Sequence, residues 1–253
     1  MGKNLTIQSN YGRYKKPVSD TQIGKQFEGD LDLHEAQDIK LPKTLFVNGN
    51  LDLSGSHNVR LPKRLHVAGN LDMSDTMIEE LPPRLRVDGD LSLFSTRIHA
   101  LPKGIRLGAG LDLRASRIMK LPKGLVVPGD LELSGTLIES LPKNLSVGGD
   151  LYLGNSELTG LPANLKLGGG LDLSATPVKE LPNGLKIGGW LNLVGTSIKC
   201  LPKGLSVGEW LDLRAVDIKK LPKDLQVGGD LYLAGTRIKR LPGNIRVGGD
   251  IEF

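Results

Sequence analysis

A period of twenty residues, held without one insertion or deletion, constrains this chain more than any other feature. Leu-Pro stands at Leu41-Pro42 and returns every twenty residues to Leu241-Pro242. Self-similarity at a short fixed period is the signature of a solenoid, in which each unit packs only on its neighbours. The Leu of each pair is position 1, and the cycle Leu121–Ser140, LPKGLVVPGDLELSGTLIES, is representative. The organisation predicted is a polar, basic N-terminal tail over 1–20, a degenerate capping cycle over 21–40, ten full cycles over 41–240 and a partial cycle over 241–253. Terminal units of such arrays are usually atypical, which fits 21–40.

Positions 1, 5, 7, 11, 13 and 18 are apolar, as in Leu121, Leu125, Val127, Leu131, Leu133 and Ile138. Around 5–7 and 11–13 the apolar residues alternate with polar ones, the period of a strand with one face buried. Each run is about three residues long, too short to stand alone, so it must pair with its copy in the next cycle. No window carries the ten or more residues of helical periodicity that an average helix needs. Pro at position 2 argues for an extended or turn backbone on the remaining side. The expected fold is a mainly-β repeat solenoid of short parallel strands with an extended or turn-built convex side. A three-sided β-helix is the rival if positions 16–18 form a third strand.

Two turns link the strands. In the first, Val127-Pro128-Gly129-Asp130 places Pro second and Gly third, the type II signature. Ala109 and Glu209 occupy the Gly place and are expected to be strained there. In the second, position 16 is Thr or Ser in most cycles, and a small buried hydroxyl must find a partner. The reading is a stacked hydroxyl ladder interrupted at Val216. Ile39 and Val59 fall one place later than their counterparts, so this turn is expected to differ in the first two cycles.

The run from Leu131 to Pro142, L-x-L-x-x-T-x-I-x-x-L-P, resembles the leucine-rich repeat with Thr or Ser in place of Asn. The short period and the Leu-Pro pair resemble the LPX-type leucine-rich repeats of bacterial proteins. The halves LPKGLVVPGD and LELSGTLIES are also similar to nested bacterial repeats of two ten-residue units. The resemblance covers 21–253 and implies a leucine-rich-repeat horseshoe. Its best-known members are effectors that Gram-negative pathogens deliver into host cells by type III secretion. It implies no ubiquitin-ligase activity, because the chain has no room for the catalytic domain some members carry, and Cys200 sits at a variable position with no local acid.

Composition narrows the class further. One cysteine excludes an intramolecular disulfide framework and fits a reducing compartment. The first twenty residues contain no apolar run long enough for a signal peptide or a membrane span. Of the net charge of +5, +3 belongs to those residues, so the repeats lack the clustered basic face that nucleic acid would need. Met1-Gly2-Lys3-Asn4-Leu5-Thr6 fits the N-myristoylation pattern, making Gly2 a candidate lipidation site, and membrane contact is expected only if it is acylated.

Positions 10, 12 and 14 should face outward from the second strand. They carry an acidic column, with Asp52, Asp72, Asp112, Glu132, Asp172 and Asp212 among those at position 12 and Asp130, Asp150 and Asp230 among those at position 10. Such a column is either a face for a basic partner or for cations, or a solvated face that protects sheet edges, and the solvated reading is preferred. One place differs. Trp190 and Trp210, both tryptophans of the chain, fall at position 10 of adjacent cycles and should stack roughly 4.8 Å apart. With Asn192, Val194, Asp212, Arg214 and Tyr232 they form a candidate partner-binding patch, since exposed Trp, Tyr and Arg are the composition of an interface hot spot. Tyr152 and Phe94 read as isolated residues of the same face. Lysines recurring at position 3 and at 19–20 read as a solubilising convex surface.

Catalytic patterns fail on inspection. Gly204-Leu205-Ser206-Val207-Gly208 matches G-x-S-x-G without the strand–elbow–helix setting that activates such a serine. His34, His57, His66 and His99 stand at unrelated positions, so no zinc set and no metal site is expected. There is no P-loop, and no cofactor is implied. The sequence thus points to a non-enzymatic scaffold that binds an unidentified protein on its acidic concave face, either secreted without a cleaved signal into a host cytosol or retained in the bacterial cytoplasm. The alternative is a self-associating structural solenoid, joined end to end through Ile251-Glu252-Phe253, or a remnant of a longer repeat protein.

Overall fold

The computed structural model describes residues 25–253. Expectations for the tail and for Gly2 lie outside the described residues, as do 21–24 of the capping cycle.

The described chain is a mainly-β solenoid, with two strands in each cycle and no helix. Positions 11–12 form one parallel sheet of twelve strands, from Leu31–Asp32 to Ile251–Glu252. Its register is one cycle per strand, Leu131 pairing with Leu151 and Leu151 with Leu171. Positions 6–7 form a second parallel row on the opposite side of the coil. The two rows bond in opposite senses, so every cycle is tied to both neighbours. Leu131 N–H donates forward to the Asp150 carbonyl at 2.9 Å, while Gly148 N–H donates back to the Val127 carbonyl at 2.8 Å.

The second row is divided into sheets of five, three and four strands. The first division falls between Arg106–Leu107 and Val126–Val127. Pro128 explains it: the position-8 amide that elsewhere donates to position 7 of the preceding cycle does not exist in proline.

The six apolar columns close into one continuous core. Val127, Leu131, Leu133 and Ile138 are fully buried, and Leu121 and Leu125 nearly so. The third side of the coil is not a strand. Among the described residues it shows only the isolated bridges Gln37–His57, Lys40–Arg60 and Ala100–Lys120, which removes the three-sided β-helix. Position 2 opens a tight turn there, as in Leu125 N–H donating to the Pro122 carbonyl at 3.3 Å. The first two cycles depart from the rest as expected. Asp38 and Asn58 take φ of 53° before Ile39 and Val59.

The turns differ from the sequence reading in a consistent way. No glycine at position 9 beyond Gly29 has positive φ, so the Pro128-Gly129 turn is not type II. Ala109 and Glu209 do not adopt positive φ either, and the expected strain is absent. What glycine supplies at position 9 is clearance: a Cβ on Gly129 would lie 2.7 Å from the Gly110 nitrogen of the preceding cycle. The left-handed residue is instead at position 15, in the second turn. It is Gly55, Gly135, Gly195 or Gly235 in four cycles, but Asp75, Ser95, Ala115, Ala175 or Ala215 in others, with φ between 53° and 60°. The turn closes between 13 and 16, Val216 N–H donating to the Leu213 carbonyl at 3.0 Å.

The hydroxyls at position 16 find partners mostly within that turn rather than in a ladder between cycles. Thr136 Oγ1 donates to the Leu133 carbonyl at 2.6 Å and Thr196 Oγ1 to Leu193 at 2.8 Å. Ser56 alone reaches the preceding cycle, donating to the Leu33 carbonyl at 2.7 Å. The shorter Ser156 hydroxyl is buried without a partner. Val216 therefore forfeits one local bond and interrupts nothing longer.

Ala215 tests this account of position 15. Ala215→Gly should stabilise the fold by roughly 0.5–1 kcal/mol, the left-handed cost of about 1–2 kcal/mol less a chain-entropy penalty of about 0.4–1 kcal/mol. Gly135→Ala should destabilise it by a similar amount. Urea melts of the two variants measure both, and a destabilised Ala215→Gly would refute a strained position 15.

Candidate functional site

The outward face of the twelve-stranded sheet is built on two rows of side-chain acceptors. At position 12 the carboxylate turns back onto its own cycle. Asp72 Oδ1 accepts from Ser74 N–H at 2.8 Å and from the Ser74 hydroxyl at 2.6 Å. Asp52, Asp112 and Asp172 hold Ser54, Arg114 and Ser174 in the same way. At position 10 the acceptor reaches the next cycle. Asp130 Oδ1 accepts from Asp150 N–H at 2.8 Å, and Asp230 Oδ1 from Asp250 N–H at 2.9 Å. Columns read from sequence as solvation thus cap backbone amides that the short strands leave unpaired.

The position-10 row is interrupted where the aromatic residues begin. Gly170 has no side chain, and the indoles of Trp190 and Trp210 carry no acceptor for the amides that follow them. A ring stack takes their place. Trp190 lies with its pyrrole ring over Gly170, in the space a Cβ would fill. Trp210 stacks on Trp190 at 5.0 Å between ring centroids and 9° between planes, close to the spacing expected from the strands. Tyr232 meets Trp210 edge to face at 6.5 Å, and Tyr152 meets Trp190 at 5.6 Å from the other end. Both indoles are half-buried. The result is an aromatic strip, Tyr152–Trp190–Trp210–Tyr232, running along the solenoid axis.

Carboxylates flank the strip. Tyr152 donates its hydroxyl to Asp150 Oδ2 at 3.1 Å, and Tyr232 donates to Asp230 Oδ2 at 3.2 Å. Burial first, and then the bond to Asp150, push the Tyr152 phenol up to about 12. The bond to Asp230 leads the upward shift at Tyr232. Burial, reinforced by Asp112, Asp130 and Asp172, raises the Glu132 carboxyl against the opposing pull of Arg114. Arg214 lies 5.5 Å over the Tyr232 ring and grips Asp212 through Nε and Nη2, the latter at 2.6 Å. That bond holds the guanidinium above its ordinary range.

Of the seven residues singled out from sequence, Trp190, Trp210, Tyr232 and Arg214 come together in direct contact. Asn192 and Asp212 are turned onto the Val194 and Arg214 amides, at 3.0 and 2.9 Å, and are first of all turn residues. Val194 is half-buried beside them. Tyr152, read as isolated, is a member of the strip. Phe94, on the same face, lies under Arg114 at 5.6 Å and away from it. Sequence reading placed Asp150 and Asp230 in the acidic column without linking them to the tyrosines, and it missed Gly170. The available signal was Gly170 itself, a residue without a side chain at position 10 immediately before a tryptophan at the same position.

Other clusters are weaker. Asp32, His34 and Asp52 bring one donor atom each within 4.8 Å, where no metal set was expected. The atoms are already engaged: His34 Nδ1 with Asp32 Oδ1 at 2.5 Å, and Asp52 Oδ1 with Ser54. The Asp32 bond raises the exposed His34 imidazole above its usual range. Lys219, Lys220, Lys223, Arg237 and Lys239 surround a shallow depression floored by Leu221 and Leu241. Ser206 lies in a strand, and Cys200 is exposed. No helix among the described residues is long and apolar enough to cross a membrane.

The sequence matches no protein-family model. No curated protein matches it. Among solved structures, YopM from Yersinia enterocolitica WA-314 superposes with a TM-score of 0.35 at 20% identity, over 85% of this chain and 67% of that one. A superposition this loose transfers no function.

The capping role of position 12 makes a simple forecast. Asp72→Ala removes the acceptor of both Ser74 bonds and should lower stability by about 1 kcal/mol. Asp72→Asn, which copies Asn192, should be close to neutral. Denaturant melts decide, and equal losses in the two variants would mean that the charge, rather than the acceptor, holds the turn.

Proposed function

We propose that this solenoid is a non-catalytic scaffold that binds a partner protein on the outward face of its twelve-stranded sheet, with Trp190 and Trp210 as the central anchors. The observation that carries the reading is the stacked indole pair, half-exposed and extended at both ends by Tyr152 and Tyr232. Large aromatics at the centre of a polar surface are the usual energetic centre of a protein interface. The scaffold supplies rigidity, since each ring stands on, or immediately before, a strand paired with both neighbours, and a preorganised surface loses little entropy on docking. The setting proposed is the host cytosol, with the protein acting as a delivered bacterial effector. Support for that setting is the similarity of its repeat to LPX-type secreted proteins.

Affinity capture from bacterial and from mammalian lysates tests the reading. The wild-type chain should retain a defined partner that Trp190→Ala/Trp210→Ala loses by at least about tenfold, as expected of hot-spot anchors. Phe94→Ala, on the same face but outside the strip, should keep it. Identical partner sets from wild type and the double tryptophan variant would overturn the assignment, and recovery from the bacterial lysate alone would overturn the host setting.

A further inference from the structure

The carboxylates around the aromatic strip exceed what the fold requires. At position 10 the acceptor can be an amide: Asn50 Oδ1 takes the Asn70 N–H at 2.8 Å, and Asn70 Oδ1 takes the Asp90 N–H at 2.9 Å. At position 12, Asn192 does for Val194 what aspartate does elsewhere. Asparagine therefore completes either bond, and without the repulsion between like charges one strand apart. Yet from Asp130 to Glu252, positions 10, 12 and 14 hold eight carboxylates and a single cation, Arg214, which Asp212 already engages. The excess charge surrounds the apolar strip, with Asp150 and Asp230 bonded to its two terminal tyrosines. Asp172 lies in the intervening cycle, in register with Tyr152 and Asn192.

We infer that the partner docks a cationic, extended segment along this face. Its lysine or arginine side chains meet Asp150, Asp172 and Asp230, while an apolar residue packs on the half-exposed indoles of Trp190 and Trp210. The ring faces are largely taken, since Trp190 lies between Gly170 and Trp210. Cations are therefore met by the carboxylates rather than by the indole faces. An acidic field of this extent speeds encounter with a basic partner and rejects an acidic one. The inference deepens the protein-binding reading above and rests on it.

Both tryptophans of the chain lie in the strip, so tryptophan emission, excited selectively over tyrosine, reports on this surface. The test titrates the full chain with a decapeptide of alternating Lys and Leu and with its Glu/Leu counterpart. The Lys/Leu peptide should change tryptophan emission saturably, with an affinity that falls as salt rises, and the Glu/Leu peptide should leave emission unchanged. Asp150→Asn/Asp172→Asn/Asp230→Asn keeps every backbone acceptor and should melt like wild type. It should bind the Lys/Leu peptide at least about tenfold more weakly, a loss typical of charge complementarity at an interface. Equal response to the two peptides, or undiminished affinity in the triple variant, overturns the inference. If the Lys/Leu peptide fails while lysate capture remains dependent on Trp190 and Trp210, the cationic partner is refuted and the protein-binding reading stands. If capture does not depend on the tryptophans, that reading falls whatever the peptides do.

Discussion

Everything in this molecule depends on the return of the backbone, after twenty residues, to the same place one strand spacing further along. Amides at positions 11 and 13 then meet carbonyls at positions 10 and 12 of the next cycle, at distances between 2.7 and 3.1 Å. A single inserted residue would shift every later side chain off its column and put apolar residues on the wrong face. This is why the period is unbroken from Leu41 to Leu241. It also explains how strands of two residues persist. None could survive alone, but each is held between identical neighbours, and its apolar residues join a core running the length of the array.

Stacking each position on itself has different consequences for different chemistry. Leucine on leucine is favourable, and six such columns make the core. Aspartate on aspartate is not, unless the carboxylate is needed elsewhere. The two acidic rows answer this by local bonding: position 12 holds the amide two residues on, and position 10 holds the amide one cycle on. Indole on indole is favourable in a third way, and it displaces the position-10 row for two cycles. Gly170 makes that change of regime sterically feasible, because any Cβ there would occupy the place of the Trp190 ring.

Much of the fold was legible in the residue order. Period, strand positions and core columns all follow from where the apolar residues recur, since burial leaves little freedom once the repeat is recognised. The turns were less legible. Pro128-Gly129 carries the composition of a type II turn but lacks its backbone, while Ala115, Ala175 and Ala215 take left-handed φ that nothing in their chemistry advertises. Closure between positions 13 and 16, on a strand already fixed by its neighbours, over-determines that angle. At the candidate site the tryptophans were visible as exceptions to the repeat. Tyr152 was not, because it lies two cycles from Trp190 and touches it only across the bare backbone of Gly170.

From the order of amino acids alone come the solenoid, the register of its strands and the identity of its outward columns. These are consequences of periodicity, which acts at every cycle and averages over local detail. Packing in three dimensions decided which outward residues are structural and which are surplus. Asn192 and Asp212 are drawn onto their own backbone, the Asp150 and Asp230 carboxylates pair with tyrosines, and four aromatic rings from cycles up to eighty residues apart become one strip. The reason is physical: hydrogen bonds and ring contacts of a few ångströms are set by rotamers and by neighbours across the stack. A one-dimensional pattern records a residue's column, but not what its side chain turns to touch.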